Sequence, residues 1–513
     1  MAGTIVGIDL GTTYCAIATL DDRGQPVTLP NRDGEMLTPS AVLLLDGEAV
    51  VGQAALDVAQ EQPDRVATLI KRYMGKDRFG RPVSGHEFHP ETLSAIILRK
   101  LIQDAEARLG PIDKAVITVP AYFDDTRRKA THDAGRIAGI EVLDILDEPT
   151  AAALAYSFQT AGGLPAQGEN VMVYDLGGGT FDVTIVRLGK KRFQTLAIDG
   201  DVRLGGKDWD DAIVKYVADQ FTEKYGDDPR EDDQALTMLQ AAAERAKRTL
   251  SKVDAASVTC NHAGRKLVVP LTRAKFEELT QELLLRTKST TRSVLQQSKL
   301  TWDQVDRILL VGGSTHMPMT SQMIRALSGK LPDNSLAVSE VVARGAAIHA
   351  GIVSARTADR SRLTAQSLEV LADIVEINVN SHSLGIEIRQ NDEKMNDILI
   401  PKNTQLPAAE SRVYRTVKDF QKRVRVKVLQ GDAAEAKDCI SIGECWIEGL
   451  PSDLPANSPI QVRCGVSSNG LIDVMALDMT SGRMARTAIH RTSGLDEAAL
   501  EREAAYVRQL KIQ

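Results

Sequence analysis

The chain has 513 residues, of which 43% are hydrophobic and 26% are charged, and its net charge is −7. This length allows about two to four domains and the composition is that of a folded globular protein, whereas the acidic balance argues against a nucleic-acid partner. No run of about eighteen apolar residues is present, so we expect no membrane span, and the five cysteines lack a C-x-x-C pair, which favours reduced thiols and a cytoplasmic location.

The first predicted strand, VGIDL, leads into a turn rich in glycine and threonine before a second strand, AIATL, begins. Asp9 interrupts the apolar run, which argues against a signal peptide. Taken alone, such a turn is most often an ordinary β-hairpin, because glycine accepts positive φ. The pattern returns, however, in VYDLGGGTFDVTIV at residues 173–186.

Repetition of the pattern changes its interpretation. A turn without β-carbons lets backbone N–H groups approach an anion closely, and the aspartates Asp9 and Asp175 offer oxygen ligands for Mg²⁺, usually through its waters. Two such hairpins that face each other predict a nucleotide triphosphate site with one phosphate-binding hairpin in each of two lobes.

Predicted strands and helices alternate up to about Gly351. Lys114–Phe123 is a predicted strand that ends at Pro120, and a helix over DDTRRKATHDAGRIAG and a strand over EVLDILDEP follow. A further helix begins at Asp147, and Asp306–Pro318 is a strand that leads into a Gly-rich turn. This order predicts layered α/β sheets flanked by helices.

The pattern changes after Gly351. Ser354–Ser367 is polar and is predicted to be mobile. Arg423–Val428 alternates strictly, with valines on one face and basic residues on the other, and Gln461–Leu477 is predicted to form a hairpin that turns at Asn469–Gly470. This part of the chain is therefore predicted to be all-β.

The last predicted element is a single helix over LDEAALEREAAYVRQL. Asp496 is its candidate N-cap, and Leu500, Ala504 and Val507 share one face. We expect this helix to lie along the β-domain with that apolar face packed down.

The ordered motifs VGIDLGTTY, IKRYMG, VITVPAYF, EPTAAALAY, YDLGGGTFDV, AERAKRTLS, ILLVGGST, SLGIE and VLQG resemble the seventy-kilodalton heat-shock chaperones, the DnaK-type family, over nearly the whole chain. The resemblance implies an α/β, actin-like, two-lobed ATPase followed by a β-sandwich that binds extended apolar peptides. The corresponding boundaries are residues 1–353 for the ATPase, 354–380 for the linker, 381–492 for the sandwich and 493–513 for a C-terminal helix in place of the family's multi-helix lid.

The resemblance also implies roles for particular residues, with ATP or ADP, Mg²⁺ and K⁺ as cofactors. Taken alone, Lys71 would be a solvated lysine, Glu148 a capping acid and the groove residues plain core. The implied catalytic residues are Lys71, Glu148, Asp175 and Thr180, and the implied metal-binding residues are Asp9, Asp175 and Asp182. The implied nucleotide-binding residues are Gly11, Thr12, Thr13, Tyr14, Gly177, Gly178, Gly179, Gly205, Gly206, Glu244, Lys247, Arg248, Ser251, Gly312, Gly313, Ser314 and His316. The peptide groove is implied at Ile386, Tyr414, Val424 and Val426, and an interdomain switch at Pro120 and Arg127.

Several departures from the family pattern bear on mechanism. His316 stands where an arginine stacks on adenine, and the segment between Lys71 and the helix at Glu91–Lys100 is short, which removes surface that exchange factors use. Asp144 replaces an arginine that docks the J-domain co-chaperone, so ordinary J-domain docking should be impaired. The linker sequence IVEIN carries Glu376 and matches only loosely.

These observations predict an ATP-hydrolysing chaperone for unfolded or extended apolar peptides, with a J-domain protein and a nucleotide exchange factor as potential partners. One alternative is an actin-fold small-molecule kinase, which shares the hairpins but has no use for a C-terminal β-domain. The other is an ATP-gated adaptor for one dedicated partner, which the short subdomain and the altered linker favour.

Overall fold

The computed structural model of the chain describes residues 4–161, 168–189, 191–333, 337–357, 364–391, 393–448, 450, 454–467, 470, 472–482, 484–488 and 494–513. Three parts follow one another in the chain: an ATPase-like body of two lobes, a β-sandwich, and a C-terminal segment, residues 494–513, that returns to the first lobe.

Lobe I is built on a sheet that combines parallel and antiparallel strands in the order β3-β2-β1-β8-β9. Its central strands are apolar on both faces because helices cover the sheet, and Ile8, Ile117 and Val119 are fully buried. Its elements are β1 (Thr4–Asp9), β2 (Tyr14–Leu20), β3 (Pro26–Leu29), β4 (Thr38–Pro39), β5 (Ala41–Leu45), β6 (Glu48–Val51), α1 (Gln53–Ala59), β7 (Val66–Thr68), α2 (Pro90–Leu109), β8 (Ile112–Val119), α3 (Asp125–Ile137), β9 (Glu141–Asp147) and α4 (Glu148–Ala161).

Lobe II repeats the central arrangement of lobe I, because its first strand pairs antiparallel with the next strand in the chain and parallel with a later one. The predicted strand at Asp306–Pro318 corresponds to the later strand, which ends in a short 3₁₀ turn. The elements are β10 (Glu169–Leu176), β11 (Phe181–Gly189), β12 (Arg192–Asp201), α5 (Gly206–Tyr225), α6 (Asp233–Leu250), β13 (Ala255–His262), β14 (Arg265–Thr272), α7 (Arg273–Leu279), α8 (Gln281–Gln297), β15 (Arg307–Val311) and α9 (Pro318–Ser328). Helix α10 (Val341–Thr357) follows in the chain and packs on α4 and on the central strands of lobe I.

The predicted linker differs from a simple polar connection. Helix α10 continues through Thr357, a further helix α11 (Ala365–Ala372) follows, and residues 358–363 of the predicted mobile stretch lie outside the described residues. Strand β16 (Val375–Ile377) then pairs in parallel with β12 and extends the sheet of lobe II. Residues Val375–Ile377 of the linker thus join lobe II, because their backbone finds hydrogen-bond partners at a sheet edge.

The β-sandwich has two four-stranded antiparallel sheets, in the orders β18-β17-β20-β21 and β19-β22-β23-β24. The alternation predicted for Arg423–Val428 is observed: Val426 and Val428 are buried, Val424 packs against the same core and the basic residues face outward. The strands are β17 (Leu384–Gln390), β18 (Glu393–Ile400), β19 (Ala408–Arg415), β20 (Arg423–Gln430), β21 (Ile440–Glu448), β22 (Pro459–Val466), β23 (Ile472–Asp478) and β24 (Met484–Ala488). The hairpin of β22 and β23 is as predicted, although Asn469 of its turn lies outside the described residues.

The C-terminal helix α12 (Glu497–Gln509) forms as predicted, with the Asp496 carboxylate accepting the Ala499 N–H at 2.7 Å. The prediction that it lies along the sandwich is wrong. Leu500 and Val507 pack into the core of lobe I against α2 and α3, and β25 (Lys511–Ile512) pairs in parallel with β6. An amphipathic pattern defines an apolar face but does not specify which surface that face covers.

Candidate functional site

The two predicted phosphate hairpins lie directly against each other across the cleft between the lobes. A β-carbon on Gly178 would overlap the Thr13 hydroxyl, and one on Gly179 would lie 2.8 Å from Thr12 Oγ1. Glycine is therefore required at both positions by the approach of the opposite hairpin. The arrangement presents backbone N–H groups and threonine hydroxyls, Thr180 included, from two sides of one space.

Lys71 and Glu148 form a buried ion pair beside this space. Lys71 belongs to a 3₁₀ turn that follows the left-handed Leu69, and Glu148 is the first residue of α4, so two separate elements meet here. Burial alone would lower the pKa of Lys71, but the negative charges of Glu148 and Asp9 outweigh burial and raise it. Lys71 is consequently a fixed cation at neutral pH.

Three aspartates surround the same space and are strongly destabilised as carboxylates. Burial, reinforced by the charge of Glu148, raises the pKa of Asp9 to about 7 and raises the pKa values of Asp175 and Asp182 well above the usual value. Hydrogen bonds partly offset this cost, because Thr118 Oγ1 lies 3.3 Å from Asp9 and Tyr122 N lies 3.0 Å from Asp182. The carboxylates outnumber the single lysine, so a bound cation fits the electrostatics of the site.

No compact group of three metal-ligating side chains occurs among the residues that the structure describes. Mg²⁺ usually keeps several of its waters, so the acidic residues would hold it mainly through those waters. In that arrangement Asp9, Asp175 and Asp182 would orient the hydrated ion, and the ion would supply charge neutralisation at the phosphates.

The residues predicted to hold the nucleoside converge from three elements of lobe II. Gly205 packs against the Gly179 backbone, and Ser314 Oγ donates to Gly177 O at 2.9 Å. Gly312 has a φ of 83° and lies against Leu176 and Asp175, so a side chain there would be both strained and obstructed.

The predicted polar face of α6 has further contacts. Lys247 Nζ donates to Gly206 O at 2.9 Å and pairs with Asp210 at 2.8 Å, whereas Arg248 pairs with Glu244 and reaches Tyr14 OH at 3.0 Å. Ser251 is the C-cap of α6, and Gly313 and His316, in the 3₁₀ turn that follows β15, are exposed. The contact from Arg248 to Tyr14 connects the two lobes.

Sequence reasoning missed Arg72. Its guanidinium donates to the carbonyl of Gly179 at 3.1 and 3.2 Å and pairs with Asp208, which caps the start of α5. Arg72 thereby connects lobe I to the second hairpin. The available signal was that Arg72 directly follows Lys71 in IKRYMG. From sequence alone, however, a basic residue beside another basic residue is interpreted as a solvated surface residue.

The sandwich contacts the ATPase body at the PAYF segment. Tyr122 N–H donates to Asp182 in the cleft, while Tyr122 O accepts a hydrogen bond from His382 Nε2 of the sandwich at 3.0 Å. Burial lowers the pKa of His382, which keeps the ring neutral. A single residue thus contacts a cleft carboxylate with its N–H and the sandwich with its carbonyl.

The two predicted switch residues lie at this same segment. Pro120 is buried at the end of β8, and Arg127 pairs with Asp124, the N-cap of α3. Next to them, Asp125 N donates to Gln430 Oε1 of the sandwich at 3.0 Å. Neither predicted residue makes the interdomain bond itself, but both are near those that do.

The linker strand β16 is held by a buried cluster of charged side chains that the sequence did not predict. His349 of α10 bonds to Glu376 of β16 at 2.7 Å and to Asp144 of β9 at 2.9 Å. Burial alone would lower the pKa of His349, but the two carboxylates raise it to about 10. Asp144, which departs from the family pattern, is therefore already paired with a cation of the same chain, the protonated His349.

The four predicted groove residues belong to one apolar cluster in the sandwich. Ile386 and Val426 are almost fully buried, as plain core residues would be, whereas Tyr414 and Val424 are partly exposed. Tyr414 OH donates to Asp397 Oδ2 at 2.7 Å, which fixes its ring at the junction of the two sheets. Their role in binding peptide stays a prediction.

Comparison with known proteins gives a consistent result. The Hsp70 protein family model matches residues 5–84 and 79–511. The chain is 41% identical over 533 aligned positions to a "Chaperone protein DnaK" of Thermus thermophilus, a match that covers 97% of this chain and 82% of the relative. The "Chaperone protein DnaK" of a second strain of Thermus thermophilus matches with the same identity and coverage.

These matches confirm the predicted fold class, an actin-like ATPase followed by a β-sandwich, and the predicted ATPase activity with a nucleotide and Mg²⁺. In the described part of the chain, no helix has both the length and the hydropathy needed to span a bilayer. The chain belongs to the Hsp70 family and is an ATP-dependent chaperone of the Hsp70 type.

Proposed function

We propose that the cleft hydrolyses ATP between the two hairpins and thereby controls the affinity of the sandwich for extended apolar peptides. Thr12, Thr13 and Thr180, with the glycines beside them, contact the β- and γ-phosphates. Gly205, Gly206, Gly312, Ser314 and the polar face of α6 hold the nucleoside, and K⁺ accompanies Mg²⁺ at the three aspartates.

Hydrolysis at this site needs an oriented water and a compensated charge. The oxygen of water attacks the γ-phosphorus and the bond from that phosphorus to the β-phosphate oxygen breaks, so that ADP leaves and both protons of the water remain on the released phosphate, H₂PO₄⁻. In the transition state, negative charge spreads over the oxygens of the transferred phosphoryl group. Lys71 stabilises that charge, because its raised pKa keeps it protonated. Glu148, held by Lys71, accepts a hydrogen bond from the attacking water and orients it.

The observation that best supports coupling is the position of Tyr122 between Asp182 and His382. A nucleotide-dependent displacement of Asp182 moves the backbone N–H of Tyr122, and the carbonyl of the same residue accepts the His382 hydrogen bond. Because coupling free energies are reciprocal, a peptide that favours detachment of the sandwich must also favour the nucleotide state in which it detaches.

The test uses variants at His382, which is outside the cleft. His382→Leu removes the donor, whereas His382→Gln keeps an N–H donor on a side chain of similar reach. We expect both to retain the ATPase rate measured without peptide. Only His382→Leu should lose stimulation of ATPase by an apolar heptamer and ATP-triggered release of that heptamer. Equal coupling in both variants would refute this route.

The proposed partners follow from membership of the Hsp70 family. A J-domain co-chaperone and a nucleotide exchange factor remain proposed partners, and the five unpaired cysteines suit a cytoplasmic location.

The alternative, an adaptor for one dedicated partner, is favoured by one specific observation: α12 packs on lobe I and does not cover the sandwich. A peptide array separates the two, since a chaperone binds many apolar heptamers and an adaptor few.

A further inference from the structure

The rim loop, residues Arg415–Arg423, joins the two strands that carry Tyr414 and Val424. It exposes two large apolar side chains: Val417 is 77% accessible and Phe420 is 67% accessible. Both strand residues pack against the sandwich core, so the rim loop is a solvent-facing extension of the predicted peptide groove.

The rim loop is held in this exposed conformation by its backbone. Phe420 N–H donates to Leu454 O at 2.8 Å, Thr416 N–H donates to Ser458 O at 3.0 Å, and Val417 N–H donates to the Gln421 side chain at 3.2 Å. Phe420 also has a φ of 59°, which is costly for a bulky residue. Exposure of its ring is therefore imposed by the fold and gives the free protein no burial energy.

Basic side chains surround these two apolar groups. Among the described residues, none of Arg415, Lys418, Lys422 and Arg423 forms an ion pair with a carboxylate; Arg415 donates to Asn457 O at 2.9 Å and the Arg423 guanidinium lies over the Trp446 ring. The single carboxylate of the loop, Asp419, accepts the Ala456 N–H at 2.7 Å and is thereby turned toward the backbone. Residues 384–430 contain ten Lys and Arg against six Asp and Glu, a net charge of +4 in a chain whose total is −7.

We propose that the sandwich selects extended peptides whose apolar core is flanked by aspartate or glutamate. This inference rests on the proposed peptide-binding function and adds its substrate class. Val417 and Phe420 contact the apolar core, and the four cations of the rim loop attract the acidic flanks. Complementary charge raises the association rate and discriminates against basic flanks by repulsion.

A second occupant could use the same chemistry, because exposed apolar groups among lysines also suit an anionic membrane surface. We favour the peptide because the rim loop continues directly into Tyr414 and Val424. Both are predicted groove residues, and both pack against the apolar core of the sandwich. A membrane surface would contact the loop alone and would leave these residues unused.

The experiment measures fluorescence anisotropy of three labelled peptides with the full chain in ADP. The peptides share one apolar heptamer and carry two glutamate, two glutamine or two lysine residues on each side. We expect the glutamate-flanked peptide to bind about tenfold more tightly than the lysine-flanked one, because several exposed charge pairs act together. The ratio should shrink between 50 mM and 200 mM salt.

Variants then assign the preference to the rim loop. Lys418→Glu combined with Lys422→Glu should abolish or reverse it. Lys252→Glu combined with Lys266→Glu, exposed lysines of lobe II, changes the net charge equally and should leave it unchanged. Circular dichroism checks that the variants fold, and the wild-type peptide series decides the matter if they do not.

Each outcome has a distinct meaning. Equal affinity for the three peptides, or preference for lysine flanks, overturns this inference and leaves the proposed function standing. Failure of every peptide to bind overturns the proposed function itself. Tight binding to phosphatidylserine vesicles that the loop variants abolish, with no flank preference among peptides, assigns the loop to a membrane and overturns the inference.

Discussion

The sandwich is joined to the ATPase body at both of its ends, and the two attachments differ in chemistry. On the linker side, β16 adds three residues to the sheet of lobe II and is held by the buried charges of Glu376, His349 and Asp144. On the C-terminal side, β25 adds two residues to a sheet of lobe I, but the attachment is dominated by the apolar packing of α12.

This difference indicates which attachment can switch. Burying an apolar side chain stabilises its contact by about 1.5–3 kcal/mol, and Leu500, Val507, Leu510 and Ile512 all enter the core of lobe I. Desolvating buried charges costs free energy that offsets their mutual attraction. An ion pair that becomes solvated when the strand is released therefore loses little net free energy. We therefore expect the C-terminal segment to behave as a fixed part of lobe I and the linker strand to be the reversible attachment.

The largest effect is expected at the apolar attachment. Leu500→Ala should lower the free energy of unfolding of the ATPase body by about 3 kcal/mol, because it removes a buried side chain and leaves a cavity. Urea denaturation measures this loss, and the exposed neighbour in Glu501→Ala is the matched control. Equal stability of Leu500→Ala and the control would show that α12 is not integral to lobe I.

Loss of a catalytic residue should lower the rate of ATP hydrolysis without changing either attachment. Lys71→Ala should bind ATP but hydrolyse it about 10²-fold more slowly, because it removes an interaction that strengthens in the transition state. Single-turnover rates measure this, with the exposed Lys76→Ala as control. A rate within threefold of the wild type would remove Lys71 from the catalytic residues.

The polar attachment should respond to loss of one charge. Glu376→Gln leaves His349 with one buried carboxylate, so the linker strand should detach about tenfold more often, as expected when a buried ion pair loses a partner. Limited proteolysis of the linker in ATP measures detachment. Glu369→Gln, an exposed position in α11, controls for the change in charge. Identical cleavage of both variants would argue that the buried charges do not hold the strand.

The smallest expected effect is the change in docking with pH. The depressed pKa of His382 means that its stabilising contribution is present above about pH 6.5, the usual pKa of histidine, and is lost as the pH falls below that value. The raised pKa of His349 means that its contribution is complete below pH 6.5 and is lost as the pH rises toward 10.

Docking should therefore weaken as the pH falls from 6.5 to 5.0, by at most about tenfold per pH unit for the single proton taken up at His382. Energy transfer between dyes on the sandwich and lobe II follows docking across this range. His382→Gln should remove the dependence, and a slope unchanged by that substitution would assign it to other groups.

The sequence was sufficient where a motif is local and repeated. The two Asp-Gly-Thr hairpins predicted a facing pair, because only glycine tolerates the close approach seen at Gly178 and Gly179. It was insufficient where distant elements meet. His349 is a lone histidine in an alanine-rich helix, and nothing local relates it to Glu376 or Asp144. The apolar face of α12 was predicted correctly, but its docking on lobe I depends on tertiary packing.

We expect nucleotide to control the linker attachment and to leave the C-terminal attachment unchanged. Hydrogen exchange in ATP and in ADP, followed in peptic peptides that cover β16 and β25, tests it most directly. We predict that exchange over Val375–Ile377 becomes faster when ADP replaces ATP, while exchange over Lys511–Ile512 stays the same. Equal acceleration of both strands, or no change at the linker strand, would contradict it.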